Sequence, residues 1–379
     1  MQQRFTNLLF LSFSLCYLGL GTLSAQVITE TYEYDGLDRN YILFLPDDIA
    51  PGAPLVFNLH GYGSNATEQL LYSGMNNVAE ANGFAVVYPT GSMDNNGFRH
   101  WRSGIEISNT DDVGFLTELA GFLQTTYDLD PERTFSCGMS NGGFMSYHLA
   151  CQAPETFKAI ASVTGTMSSG TFNDCAPSVP VPVLEIHGTA DEVVPYEGRG
   201  DIGDGWGSFI ATETVIDFWA DLNECSEFEE ADLEDLDPTD GSTVMSKKYT
   251  DCATGNRVWL YTVENGGHDW PGAFFGMANQ DFDASEKIWE FFDLYEPPSS
   301  TIELNETTIQ LYPNPTNGPV KLEGADEVES LELFDMSGRM IGNLRVQEEL
   351  NVRFLNSGIY LLKIRTREGQ LSQQKLIVH

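Results

Sequence analysis

Positive charge is scarce in this chain. Nineteen lysines and arginines stand against 56 aspartates and glutamates over 379 residues, a formal net charge of -37 at pH 7. So acidic a surface repels phosphate backbones and anionic lipid, which removes nucleic acid and membrane surfaces from the expected partners. The imbalance is uneven: residues 303–379 hold 8 basic and 11 acidic side chains, so almost all of the excess falls before them. Long apolar runs are nearly lacking too. The exception, Leu8 to Leu20, follows Arg4 and precedes the small-residue stretch Gly21-Thr22-Leu23-Ser24-Ala25. That order reads as a signal peptide, residues 1–25, and the run is short for a spanning helix, so no stable membrane span is expected.

Cysteine is sparse, with six in all. Cys16 lies in the apolar leader, leaving Cys137, Cys151, Cys175, Cys225 and Cys252. In an exported chain four of these can pair, and the preferred pairs are Cys151 with Cys175 and Cys225 with Cys252. Cys137 is then a buried thiol. The acidic stretch from Glu224 to Asp240 lacks the oxygen-ligand spacing and glycine placement of an EF-hand, so it reads as a solvated loop. No metal or cofactor is implied.

What the chain does have is an alternation of β-prone and helical runs from Ile28 onward, the pattern of a mostly parallel sheet wrapped by helices. Strands are expected at Val27 to Tyr34, Tyr41 to Leu45, Leu55 to His60, Phe84 to Tyr88, Arg133 to Gly138, Ala159 to Val163, Val181 to His187 and Arg257 to Val263. About eight strands with helices at Asp112 to Tyr127, Gly142 to Gln152, Phe209 to Leu222 and Asp283 to Leu294 fit an α/β-hydrolase over residues 26–295. Residues 296–302, with Pro297 and Pro298, suit a linker. From 303 to 379 short alternating runs separated by turns describe a small all-β sandwich.

Between the fifth strand and the next helix lies Gly138-Met139-Ser140-Asn141-Gly142, a G-x-S-x-G. A sharp strand-to-helix turn there exposes a serine Oγ, and the helix N-terminus aims unsatisfied N–H groups at it. A serine hydroxyl is a poor nucleophile until an imidazole takes its proton, and the imidazole needs a carboxylate to fix its tautomer. Of the six histidines, His268 sits in the Gly-rich loop Gly266-Gly267-His268-Asp269-Trp270 after the last hydrolase strand, where such sheets build their sites. Asp191, in His187-Gly188-Thr189-Ala190-Asp191 just past the preceding strand, is the matching carboxylate, while His187 at the strand end reads as structural. The oxyanion needs donors, and the backbone N–H groups of Tyr62, in Leu59-His60-Gly61-Tyr62, and of Asn141 are the candidates. Trp101 and Trp270 are candidate apolar walls of a substrate site.

The ordered blocks Leu59-His60-Gly61, Tyr88-Pro89-Thr90-Gly91, Asp111-Asp112-Val113-Gly114-Phe115, Gly138-Met139-Ser140-Asn141-Gly142-Gly143, His187-Gly188-Thr189-Ala190-Asp191 and Gly266-Gly267-His268-Asp269-Trp270-Pro271 resemble the secreted polyhydroxybutyrate depolymerase and feruloyl esterase family over residues 28–295. The resemblance implies Ser140 as nucleophile, Asp191 as carboxylate and His268 as base, acting on feruloylated or acetylated plant polysaccharide or on polyester. Tyr62 departs from the family, which usually has a small residue or cysteine there. Leu311-Tyr312-Pro313-Asn314-Pro315, Leu333-Phe334-Asp335-Met336-Ser337-Gly338-Arg339 and Gly358-Ile359-Tyr360-Leu361-Leu362-Lys363 are similar to the sorting domain of type IX secretion cargo. That resemblance implies recognition of residues 303–379 by the secretion machinery and an extracellular or surface-attached product.

The expected function is therefore a secreted serine carboxylesterase acting on an extracellular polymer. A polyester depolymerase and a non-catalytic polymer-binding protein on the same fold are the alternatives.

Overall fold

The computed structural model describes residues 25–105, 108–274, 278–297, 309–335, 339–367 and 371–379. The signal-peptide expectation and most of the linker fall outside them. The chain divides into two compact units, Met1–Tyr295 and Glu296–His379.

The first unit is built on one mixed sheet of ten strands. In chain order its elements are β1 (Gln26–Tyr34), β2 (Leu37–Leu45), β3 (Ala53–Leu59), α1 (Ala66–Ser73), α2 (Met75–Asn82), β4 (Ala85–Pro89), the short pair β5 (Ser92–Met93) and β6 (Arg99–His100), α3 (Asp112–Tyr127), β7 (Leu129–Met139), α4 (Asn141–Gln152), β8 (Ile160–Val163), α5 (Ser169–Asp174), β9 (Val183–Gly188), α6 (Thr212–Leu222), β10 (Cys225–Asp232), β11 (Thr243–Cys252), β12 (Val258–Glu264) and α7 (Ala284–Asp293). The sheet order is β1-β2-β4-β3-β7-β8-β9-β12-β11-β10. The inner strands β4, β3, β7, β8, β9 and β12 run parallel, and the outer pairings are antiparallel.

The inner strands read as continuous apolar runs because both faces are covered: every residue of β3 and of β4 is buried. Alternate residues serve opposite faces. Val56 and Val86 join the layer holding Phe135, Ile186, Trp289 and Phe292, whereas Leu55, Phe57 and Val87 join the layer holding Phe115, Leu119 and Met145. Side-chain caps stand at the starts of α1, α3 and α7, with Asn65 accepting the Thr67 and Glu68 N–H groups, Asp111 that of Gly114, and Asp283 those of Ser285 and Glu286.

Two expectations are corrected. The sheet has ten strands instead of about eight, and the acidic stretch from residue 224 is not a loop throughout. Its first part is β10, which pairs with β11 from Cys225↔Cys252 to Asp232↔Met245. Disulfides join Cys151 to Cys175 and Cys225 to Cys252, and Cys137 is a buried free thiol whose pKa burial pushes up.

The second unit contains β13 (Gln310–Tyr312), β14 (Val320–Glu323), a 3-10 turn (Ala325–Glu327), β15 (Val328–Asp335), β16 (Met340–Leu344), β17 (Glu349–Leu350), β18 (Gly358–Thr366) and β19 (Leu371–Val378). They form a three-stranded sheet, β13-β14-β17, and a four-stranded sheet, β16-β15-β18-β19. Leu311, Val320 and Leu350 of the first and Leu331, Leu362 and Leu376 of the second share one core, which makes the unit a small sandwich. Among the described residues no helix is long and apolar enough to cross a membrane.

Candidate active site

The sheet order reverses beside β3. The chain leaves β3 for β4 on one side and returns through β7 on the other, so the loops after β3 and β7 flank a topological switch point, where open α/β sheets bind ligands. Leu59 pairs with Gly138 across it.

Ser140 stands alone between β7 and α4, at φ 54° and ψ -120°. Its N–H donates to the Val163 carbonyl at 2.8 Å, and its carbonyl accepts the Phe144 N–H at 2.9 Å, so the strained residue is held from both sides. Glycine at 142 is what lets α4 start so close to β3: a Cβ there would sit 2.2 Å from the Leu59 carbonyl oxygen. The serine is therefore lifted out of the sheet on a turn that only this backbone packing permits.

Asp191 and His268 are brought together by the ends of β9 and β12. Gly188 closes β9, and a Cβ on it would meet the Gly266 carbonyl oxygen at 2.3 Å. The N–H groups of Thr189 and Ala190 donate to the carbonyls of Val263 and Gly266, each at 2.9 Å. In this register His268 Nδ1 lies 2.7 Å from Asp191 Oδ2. The other carboxylate oxygen accepts the N–H groups of Val193 and Val194, both at 2.8 Å. Burial alone would raise the Asp191 pKa. Hydrogen bonds from His187, His268 and the Val194 N–H overcome it and hold the carboxyl well below the usual carboxylate range. An ionised Asp191 accepts the Nδ1–H and leaves His268 Nε2 as the basic nitrogen.

Two cavities open on this centre. One, about 470 Å³, is lined by Gly61, Tyr62, Gln69, Leu71, Tyr72, Met139, Ser140 and His268. The other, about 420 Å³, is lined by Tyr62, Ser140, Asn141, Phe144, Arg199, Trp206, Phe209 and His268. Tyr62, Ser140 and His268 are common to both. The Tyr62 hydroxyl donates to Asp94 Oδ2 at 2.7 Å, and its ring packs 4.7 Å from Trp206 and 5.5 Å from Phe98, centroid to centroid. Asp94 in turn accepts the N–H groups of Asn96 and Phe98 at 2.8 Å, bonds that outweigh burial and lower its pKa to about 2.

His60 is a buried structural histidine. Its Nε2 accepts the Gly91 N–H at 2.9 Å, so Nδ1 carries the hydrogen and donates to the Gly61 carbonyl at 2.7 Å, fixing one neutral tautomer. Burial lowers its pKa to about 4.

Trp101 and Trp270 do not line either cavity, which corrects their expected role as walls. Both are fully buried: the indole N–H of Trp101 donates to the His60 carbonyl at 3.0 Å and that of Trp270 to Ser285 Oγ at 3.2 Å. Aromatic walls come instead from Tyr72, Phe144, Trp206 and Phe209. Of these, Trp206 carried a readable signal, a lone aromatic in the glycine-rich run Gly203-Asp204-Gly205-Trp206-Gly207. Sequence reasoning also passed over Glu185, although Glu185 and His187 stand two apart on β9 and so share one face.

Residues 39–193 match the family model described as esterase PHB depolymerase, and residues 310–379 match that of a secretion system C-terminal sorting domain. Residues 39–193 are thus similar to esterases of the PHB depolymerase family. The match includes Tyr62, Ser140 and Asp191 and ends before His268. Curated relatives of the esterase domain include feruloyl esterase C of Emericella nidulans, 28% identical over 67% of this chain and 83% of that protein. Feruloyl esterase B of Piromyces equi is 28% identical over 57% of this chain and 39% of its own length. The bifunctional acetylxylan esterase/xylanase of Neocallimastix patriciarum is 28% identical over 45% of this chain, and the chain spans 24% of that enzyme.

Proposed function

We propose that this protein is a secreted serine carboxylesterase that cleaves feruloyl or acetyl esters of an extracellular plant polysaccharide. The observation that carries the reading is the 2.7 Å contact of His268 Nδ1 with Asp191 Oδ2 beside a serine on a strained strand-to-helix turn, with Ser140 and His268 lining the same cavities. His268 Nε2 takes the Ser140 proton as Oγ attacks the ester carbonyl, and the resulting imidazolium is stabilised by Asp191. The N–H groups of Tyr62 and Asn141 receive the oxyanion; one such donor is worth about 2.7–4 kcal/mol of barrier. Collapse expels the alcohol, protonated by His268. Water then repeats the sequence on the acyl-enzyme and frees the acid.

The relatives named feruloyl and acetylxylan esterases support this substrate class. The description of the matching family favours a second reading, a polyester depolymerase. The C-terminal match supports export by type IX machinery that recognises the tail, with delivery to the cell surface or medium.

The test is a substrate panel of methyl ferulate, acetylated xylan, short-chain nitrophenyl esters and polyhydroxybutyrate, run on wild type and Ser140→Ala. The two polysaccharide-type esters are expected to lead in kcat/KM, with turnover abolished in the variant and its fold intact. A folded Ser140→Ala enzyme that retains turnover sinks the triad. Failure of a fluorophosphonate to label Ser140 points to a non-catalytic binding protein.

A further inference from the structure

Behind Asp191 lies a second histidine that the triad does not use. His187, on β9, is fully buried, and so is Glu185 two residues before it. His187 Nε2 lies 2.8 Å from the Val194 carbonyl oxygen and 3.5 Å from Asp191 Oδ2, the oxygen that meets His268. A carbonyl can only accept, so Nε2 carries a hydrogen. On the other side of the ring, Nδ1 lies 3.1 Å from Glu185 Oε1. Two lone pairs facing each other at that distance in a buried site would repel, so a further proton lies between these two atoms. The Tyr147 hydroxyl donates to the other Glu185 oxygen at 2.9 Å, which favours the carboxylate and leaves the proton on His187.

We propose that His187 is a positioning residue held as a buried imidazolium between Glu185 and Asp191, which orients Asp191 and offsets its negative charge beside His268. The proposal rests on the Ser140–His268–Asp191 reading above. The same ring ties the Val194 carbonyl to the loop whose N–H groups hold the other Asp191 oxygen, so one side chain fixes the carboxylate from both ends.

The charged and titratable groups facing His187 are Glu185 on its own strand, and Asp191 and Tyr196 from the following loop, the Tyr196 ring edge-on at 5.7 Å. From α6 comes Thr212, whose Oγ1 is 3.4 Å from Nδ1, and from β12 the paired residue is Thr262. From α4, Tyr147 reaches the cluster through Glu185. Burial alone would lower the His187 pKa; hydrogen bonds to Asp191 and Glu185 raise it to about 10. Burial raises the Glu185 pKa, and the hydrogen bonds from His187 and Tyr147 work against that rise.

His187→Gln keeps an amide donor for Val194 and removes the positive end of the pair that faces Asp191. This holds whether Glu185 then stays ionised or takes up a proton itself. Asp191 pulls harder on the His268 proton, so the acid limb of kcat/KM moves to higher pH, by about half a unit to one unit for a charge change at this range. A lower kcat with an unmoved limb overturns the proposal and makes His187 structural only. Should the variant fail to fold, the wild-type enzyme decides. With ¹⁵N-labelled histidine, the His187 ring is expected to show both nitrogens protonated from pH 7 to 9, and a neutral single tautomer at pH 7 overturns the proposal. Neither measurement depends on Ser140: a retained activity in Ser140→Ala breaks the triad reading, whereas an inactive Ser140→Ala with an unmoved limb breaks only this one.

Discussion

The side-chain amide of Asn141 pairs with the backbone of Trp101 in both directions, its Oδ1 accepting the Trp101 N–H at 2.7 Å and its Nδ2 donating to the Trp101 carbonyl at 3.0 Å. Nδ2 also donates to Ser103 Oγ at 3.1 Å. The first residue of α4 is thereby tied to the loop after β6. That loop is anchored a second time, since the Arg102 N–H donates to Asp112 at 2.8 Å and Asp112 pairs with buried Arg39 at 2.7 Å.

Asn141→Ala leaves the Trp101 N–H buried without its partner, while the Trp101 carbonyl keeps the Ser103 N–H at 3.0 Å. A loss of about 1–3 kcal/mol of unfolding free energy is expected, read by denaturant titration. The backbone N–H of residue 141 survives the change, so kcat should fall less than in Ser140→Ala. Stability within 0.5 kcal/mol of wild type, roughly the scatter of neutral surface changes, contradicts this account.

At Ser140 the backbone is one that glycine adopts without strain. Ser140→Gly is expected to be inactive yet more stable than Ser140→Ala by about 1 kcal/mol, the strain released at such a position outweighing the entropy glycine adds to the unfolded chain. Paired thermal melts of the two variants check it, and an alanine variant that melts higher refutes it.

Acid should weaken the esterase unit through His60. Its folded pKa of about 4 lies below the ordinary value of 6.5, so between those values the unfolded chain binds more protons. Its contribution is complete above about pH 6.5 and is lost as pH falls toward 4, by up to about 3 kcal/mol. His148, lowered to about 4 chiefly by burial, acts in the same window. Unfolding free energies at pH 7.5, 6 and 5 should fall more steeply for wild type than for His60→Asn, and equal slopes would remove His60 from the explanation.

Cys225 and Cys252 close the hairpin of β10 and β11 at its first paired position. Cys225→Ser/Cys252→Ser is expected to cost about 3 kcal/mol in the chain-entropy model, seen as a lower melting temperature under non-reducing conditions. A non-reduced digest should yield the linked Cys225–Cys252 and Cys151–Cys175 peptides.

The parallel core was legible in the sequence because buried strands are written as unbroken apolar runs, as in Leu55-Val56-Phe57 and Val86-Val87-Tyr88. The Ser140, Asp191 and His268 loops were legible because glycines mark the places where backbones must touch. The hairpin of β10 was not, since a strand that faces solvent on both sides carries no alternation: Phe228 is half exposed among Glu227, Glu229 and Glu230. Trp101 and Trp270 misled for the opposite reason. A tryptophan beside a catalytic loop looks the same in sequence whether it faces the substrate or the core, and the partners that decide it, the His60 carbonyl and Ser285, are 41 and 15 residues away.

The carboxylates of β10 have one further effect. This strand is an outer edge of the sheet, and among the described residues no further strand pairs with its open side. Glu229 and Glu230 stand opposite Lys248 and Lys247 of β11, while Glu227 and Asp232 remain exposed at the rim. A second strand docking there would have to bring its own charges against this fringe of negative ones. Edge-to-edge association, the route by which a long open sheet polymerises, is therefore blocked at β10 by the side chains themselves.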